Sequence, residues 1–387
     1  MSNKTALSRR DVLKLSGLTA VACCLPLSAQ SLAKPLQASK KRKFRVTLKH
    51  KILEKGNTTR LWVPLPLFPI PREDNIHYLW QDVEFEGDYT EEVYQYLDSD
   101  IEFEGNYTIC GGIDTQIPTL YAEFDKIKEP YLDLSFDIIT QERSVDLSAK
   151  PKKVAIPKDI KEYLKATTHI QTDGIVKKTA QEIINKAKAK SDVAKAKALF
   201  DWVAENMQRD ESIMGCGIGD AKAILESKKL FGKCTDISSV FVALCRSVGV
   251  PAREVFGIRL GQSRFSNAMG SAKDKVANIT KAQHCRAEFF AKDYGWIPCD
   301  PGDVANVKLA EKLSNEDAKT KELKAYLFGN WEMCWCAFNT ARDFVLTPQP
   351  DKSPLNNFGY PYAEVDGNAL NYYEPNEFSY TYTAVEK

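Results

Sequence analysis

The feature that most constrains this chain is a change of hydrophobic period near residue 150. From Phe44 onward the segments FRVTLKHKI, TTRLWVPLP, VEFEGDYT, IEFEGNYT, TLYAEFDK and LDLSFDIITQER follow one another, separated by Gly, Asn and Asp turn signals. Successive side chains of an extended chain point to opposite faces, so alternating segments rich in Val, Thr, Leu, Phe and Tyr describe half-buried strands. Residues 44–150 are expected to form a β-sandwich-like unit. The two FEG-(D/N)-YT copies, eighteen residues apart, read as two similar strands of a meander, because no third copy follows.

A stretch rich in Lys and Pro, residues 148–159 (SAKPKKVAIPKD), breaks the alternation, and beyond it apolar residues recur at three and four. Residues 177–190 read as one helix. Ser191-Asp192 supplies an N-cap for a second, whose buried stripe is Ala194, Ala198, Leu199, Trp202, Val203 and Met207. Asp220 can cap a third, residues 221–226. The glycines at 215, 217 and 219 lack the strand before, the helix after and the Gly-Lys-Ser/Thr of a phosphate loop, which excludes nucleotide binding there.

A fourth helix carries the chemistry. In FGKCTD, residues 231–236, Cys234 opens a helix through Ile237, Val240, Phe241, Leu244, Cys245 and Val248 that ends at Gly249 and Pro251. The positive end of a helix dipole favours a thiolate, the form that attacks carbonyl carbon. Cys245, three turns down the same face, is expected to be an inert core thiol. A thiol nucleophile needs a base, and the base needs an orienting group. The chain has four histidines. His50 and His77 fall in the β-rich region and His169 in a polar segment. His284 begins the strand-like AQHCRAEFF, followed by a turn at residues 291–295 and a second strand, WIPCDP. A hairpin with paired numbers summing to about 585 sets His284 opposite Asp300 or Pro301, close enough for the carboxylate to orient the imidazole.

These residues carry a resemblance. GKCTDISSVFVALCRSVGVPAREVFGIRL, AQHCRAEFF and YGWIPCDP, in that order, resemble the core of the transglutaminase-like superfamily of thiol acyl-transfer enzymes. RLWVPLP, residues 60–66, is similar to the first strands of bacterial members with an N-terminal β-domain. The resemblance implies an α+β fold with a papain-like, transglutaminase-like core, and it implies Cys234 as nucleophile, His284 as base and then acid, and Asp300 as orienter. It departs from the family pattern at Arg286, where many members have an aromatic residue. No cofactor and no metal are implied. Cys285 and Cys299 are expected on the face opposite His284 and Asp300, as a cross-strand disulfide or as buried thiols. The oxyanion hole would be the Cys234 N–H and a second donor that the sequence does not identify.

The ends of the chain complete the organisation. Ser8-Arg9-Arg10-Asp11-Val12-Leu13-Lys14, the apolar run of residues 15–29 and the small-residue stop at Ser31-Leu32-Ala33 resemble a twin-arginine export signal. Fifteen moderately apolar residues are too few to span a bilayer, which takes about 20, so cleavage and a periplasmic product are expected rather than a membrane anchor. Loss of residues 1–33 removes Cys23, Cys24 and a small excess of basic groups, leaving eight thiols and a formal charge of −2. So neutral a chain carries no nucleic-acid footprint. The expected plan is signal 1–33, linker 34–43, β-rich domain 44–150, catalytic domain 155–303 and a C-terminal extension 304–387 packing on the core. Core packing is also the expectation for its aromatics, among them Trp331 and Trp335.

The function expected is thioester-mediated acyl transfer on a peptide, protein or carboxamide, a cell-wall peptide included. Hydrolysis is favoured over cross-linking because nothing visibly excludes water. Export implies the twin-arginine machinery as a further partner. A non-catalytic binding or assembly module with the same fold is the main alternative. A thiol redox protein is a weaker one, since no C-x-x-C occurs.

Overall fold

The computed structural model describes residues 41–67, 92–94, 101–103, 106–110, 117–372 and 378–387. The export signal, His77 and the first FEG copy lie outside the described residues. The elements that position the site are numbered along the chain. β1 is Arg42–Ile52, β2 Thr58–Pro64, β3 Glu92–Tyr94, β4 Ile101–Phe103, β5 Asn106–Cys110, β6 Thr119–Asp125 and β7 Tyr131–Thr140. Four helices follow: α1 Gly174–Lys186, α2 Asp192–Asn206, α3 Ala221–Ser227 and α4 Cys234–Ser247. Next come β8 Ala252–Arg259, β9 Val276–Asn278, β10 Gln283–Ala291, β11 Gly295–Cys299, α5 Pro301–Glu311 and α6 Ala318–Tyr326. The last strands are β12 Trp335–Asn339, β13 Tyr362–Val365, β14 Asn368–Ala369 and β15 Phe378–Glu386.

The alternation read in the first half becomes two facing sheets, ordered β9-β15-β1-β7-β3 with β4 also on β7, and β14-β13-β2-β6-β5. Phe44, Val46 and Leu48 of β1 meet Leu61 and Val63 of β2 and Leu120, Ala122 and Phe124 of β6 in one buried cluster. The second FEG copy is not a plain meander strand. Its first part, β4, pairs with β7 in one sheet and its second part, β5, pairs with β6 in the other, so the copy crosses between layers.

The sandwich is completed by chain from beyond residue 304. β15 pairs antiparallel with β1 from Phe44↔Glu386 to Ile52↔Phe378, and β13 pairs with β2. The division expected at 303/304 differs from this arrangement, since it cuts α5, and the later strands supply sheet partners rather than an appended layer. Pairings between segments more than 300 residues apart leave no local period to read. His50 belongs to this core: Nδ1 lies 3.0 Å from the Leu132 carbonyl, Nε2 lies 2.7 Å from the Tyr382 hydroxyl, and burial pushes its pKa down to about 4.

The second layer is a four-stranded sheet ordered β11-β10-β8-β12, with α4 packed on β8 and β10. Its core gathers Leu199, Phe200 and Val203 of α2, Ile237, Val240, Phe241 and Leu244 of α4, Ala287 and Phe289 of β10, and Val304 and Val307 of α5. The caps fall where the sequence put them: the Ser191 hydroxyl accepts from the Ala194 N–H at 3.2 Å, and Asp220 accepts from the Ala223 N–H at 3.0 Å. Each satisfies an N–H that the first helical turn leaves unpaired. Trp202 packs against the core as expected. Among the described residues, no helix is long and apolar enough to cross a membrane.

Candidate active site

Three local features fix Cys234. It is the first residue of α4. The glycine loop at 215–219 is tied to the same helix end by Asp236, whose carboxylate accepts from the Lys233 N–H at 2.9 Å and the Gly219 N–H at 2.7 Å. That carboxylate leaves no room for side chains around it: a Cβ on Gly232 would lie 2.4 Å from the Asp236 Cβ, and one on Gly217, at φ +89°, 1.9 Å from its Oδ2. The glycines in FGKCTD and in the loop are there for close approach, not for phosphate. A second helix start abuts the first, because a Cβ on Gly302 of α5 would sit 3.4 Å from the Cys234 Cα. Two helix N-termini, each a partial positive charge, therefore converge near the thiol.

His284 and Asp300 are brought together, though not by the pairing expected. In the β10–β11 hairpin Ala287 faces Cys299 and Ala291 faces Gly295, one step off the assumed register, and the ladder ends at Cys299. Asp300 is the N-cap of α5 instead. Its Oδ1 accepts from the Asp303 N–H at 2.9 Å, and its Oδ2 lies 2.7 Å from His284 Nε2. One carboxylate thus starts a helix with one oxygen and holds the imidazole with the other. Nε2 being so engaged, Nδ1 is the ring nitrogen left free of Asp300, and His284 lines the same cleft as Cys234.

Sequence reasoning missed four further residues. Asp303, one turn into α5 and fully buried, lies 3.5 Å from His284 Nε2 and forms a forked ion pair with Arg259 of β8, at 2.6 and 3.1 Å. Cys216, on the glycine loop, packs in one buried cluster with Cys234; its Sγ accepts from the Tyr360 hydroxyl at 3.1 Å and lies 3.3 Å from the Gln283 carbonyl. The spacing Asp300-x-x-Asp303 at a helix start was the one available signal for Asp303. Nothing in the sequence ties Arg259, Cys216 or Tyr360 to the site.

The electrostatics follow from these contacts. The Cys216 hydrogen bond first, then His284 and the Cys285 backbone N–H, hold the Cys234 thiol well below its usual range against the opposing effect of burial. Burial, then Arg259, work against a charged His284, yet Asp303 and Asp300 lift its pKa to about 10. Arg259 holds Asp303 far down in spite of burial, while burial and the neighbouring Asp303 push Asp300 up. A thiolate beside an imidazolium is the state this environment favours. Elsewhere burial pushes the thiols of Cys245, Cys285, Cys299, Cys334 and Cys336 up, the opposite of the shift at Cys234.

Cys285 and Cys299 form no disulfide: both are free and buried. Cys285 does lie on the strand face opposite His284, but that face carries α4, and Cys285 packs in one cluster with Cys216, Cys234, Phe256 and Tyr360. Cys299 packs in the other core. His169 is held on Asp343 away from the site. Lys233 points to Glu211, 3.4 Å away.

The three ligand-type atoms of His284, Asp300 and Asp303 lie within 4.8 Å of one another, close enough to share a cation. The donor set argues against that use, since Arg259 and Arg286 already supply two positive charges to the two carboxylates. Cys234 and His284 open into a cleft of about 930 Å³, lined also by Asn267, Ser271, Asn278 and Thr280.

Residues 177–301 match the family model of the transglutaminase-like superfamily core. An uncharacterised protein of Haemophilus influenzae is 42% identical over 348 residues, covering 86% of this chain and 88% of that one. A crystal structure of a candidate cysteine protease from Cytophaga hutchinsonii superposes with a TM-score of 0.52 at 12% identity, over 90% of this chain and 92% of that one, a likeness of fold. The fold is α+β around a papain-like core, and the chain belongs to the transglutaminase-like superfamily.

Proposed function

We propose that the protein is an exported thiol enzyme that transfers an acyl group from a peptide or carboxamide through a thioester on Cys234. The observation that carries this reading is His284, held on Asp300 at 2.7 Å and lining one cleft with Cys234 at the start of α4. In the proposed sequence the Cys234 thiolate adds to the substrate carbonyl carbon, and the oxyanion is met by the backbone N–H at the start of α4 and a second donor. Each such donor is worth about 3–4 kcal/mol of transition-state stabilisation. The C–N bond then breaks as the His284 imidazolium gives its proton to the leaving nitrogen. His284, now neutral, takes a proton from water, the hydroxide adds to the thioester, and the tetrahedral adduct expels the thiolate with release of the acid. Asp300 keeps the ring oriented and its charge balanced throughout.

Water is the favoured acceptor because the cleft beside Cys234 is about 930 Å³ and carries hydroxyl and amide groups able to hydrogen-bond it. A periplasmic setting and a peptide or protein substrate, cell-wall peptide included, are part of the same proposal, supported by the twin-arginine pattern of residues 1–33. The test is labelling with an iodoacetamide probe at pH 6.5, mapped by mass spectrometry. Cys234 is expected to take the label well ahead of Cys245, Cys285 and Cys299. Even labelling across the thiols would favour the non-catalytic binding module instead.

A further inference from the structure

Arg286 is the one fully buried arginine in the interior of the four-stranded sheet, and the contacts given above do not explain it. It sits two residues after His284 on β10, hence on the same strand face. Its Nε lies 3.4 Å from Asp300 Oδ2, the oxygen that bonds His284, and Nη1 donates to the Glu332 carbonyl at 3.1 Å. Nε and Nη2 make no hydrogen bond. The guanidinium lies 4.6 Å from the Trp335 ring and 5.7 Å from the Trp331 ring. Those two indoles are tied to the site as well: Trp335 Nε1 donates to the His284 carbonyl at 3.1 Å, and Trp331 Nε1 to the Cys299 carbonyl at 3.0 Å, one residue before Asp300.

A buried guanidinium with two idle nitrogens is costly, and packing alone would be served better by an apolar chain. At 3.4 Å without a hydrogen bond it acts by charge, and so does not draw the Asp300 lone pair away from His284. We infer that Arg286 is a positioning residue whose charge, held by a two-indole clamp, balances Asp300 and so maintains the thiolate–imidazolium pair of Cys234 and His284. The inference rests on the reading of that pair proposed above.

The titratable groups around Asp300 come from five elements. β10 gives His284 and Arg286, β8 gives Arg259, α5 gives Asp303, and the thiols of Cys299 on β11 and Cys234 on α4 complete the set. With Cys234 as thiolate and His284 as imidazolium, three positive groups stand against three negative ones. Without Arg286 a negative charge is left over at a buried carboxylate, and the site relieves it by binding a proton. On Cys234 that proton removes the nucleophile; on Asp300 it removes the partner that stabilises the imidazolium. In both cases the acid limb of thiol reactivity moves to higher pH.

The experiment is the pH dependence of Cys234 alkylation by iodoacetamide on the whole chain, which needs no substrate. For Arg286→Met, of similar length and apolar, the midpoint is expected to rise by about 1–3 units, the usual effect of losing an opposite charge at this range. Arg286→Lys, which keeps a cation over the indole, is expected to stay within about threefold of the unmodified chain. An unchanged midpoint in the Met variant, or a Lys variant shifted as far as Met, would overturn the inference while leaving the proposed function standing. A parent chain with an ordinary thiol profile would overturn both. If Arg286→Met does not fold, the double variant Asp300→Asn/Arg286→Met decides: recovery of folding supports charge balance, and continued failure assigns Arg286 to packing.

Discussion

Replacing His284 by alanine is expected to slow the alkylation of Cys234 at pH 6 by about 30- to 300-fold. With the imidazolium beside it the thiol is held well below its usual range. Without it the thiol returns toward the ordinary value near 8.5, where roughly one molecule in 300 carries a thiolate at pH 6. The lower end of the range allows for what remains, namely the Cys216 hydrogen bond and the two converging helix starts. Circular dichroism of the variant controls for folding, and a rate within threefold of the parent would show that His284 does not set the state of the thiol.

Arg259→Met is expected to destabilise the fold by about 3–5 kcal/mol, measured by urea denaturation. Breaking a buried pair from one side leaves an uncompensated charge, which costs far more than the pair contributes. Here the stranded group would be Asp303, fully buried, whose two oxygens take both arms of Arg259. Arg259 also donates to the Met269 carbonyl at 2.7 Å, so the loop beyond β8 loosens in the same step. The contrast is Lys51→Met at the exposed pair with Glu129, expected to leave the urea midpoint nearly unchanged. Equal losses at the two positions would contradict the picture of a charge-balanced buried site.

The parts of the fold legible in the sequence were those with a local period. The alternation of residues 44–52 and the stripe of Ile237, Val240, Phe241 and Leu244 state which face is buried, and the caps at Ser191 and Asp220 state where helices begin. Cys234 was legible for the same reason, as the first residue of a helix after Gly-Lys. His284 and Asp300 were found by a hairpin argument that erred by one step; the pair survives because Asp300 acts from a helix cap, where the side chain is free to turn back toward β10. What could not be read is non-local. The return of β15 to β1, the Arg259–Asp303 pair and the approach of Cys216 to Cys234 are each set by how layers stack, and none repeats within a window of the chain. Arg286 stood out by residue type, but its role depends on Trp331 and Trp335, which were expected only to fill core.

The central claim is that Cys234 is held as a thiolate beside His284 in the resting protein. Its most direct measurement is the rate of Cys234 alkylation in the unmodified chain between pH 5 and pH 10. A rate that stays near its plateau down to pH 6 is the predicted result. A sigmoid with its midpoint at 8.5 or above, the behaviour of an ordinary thiol, would contradict it.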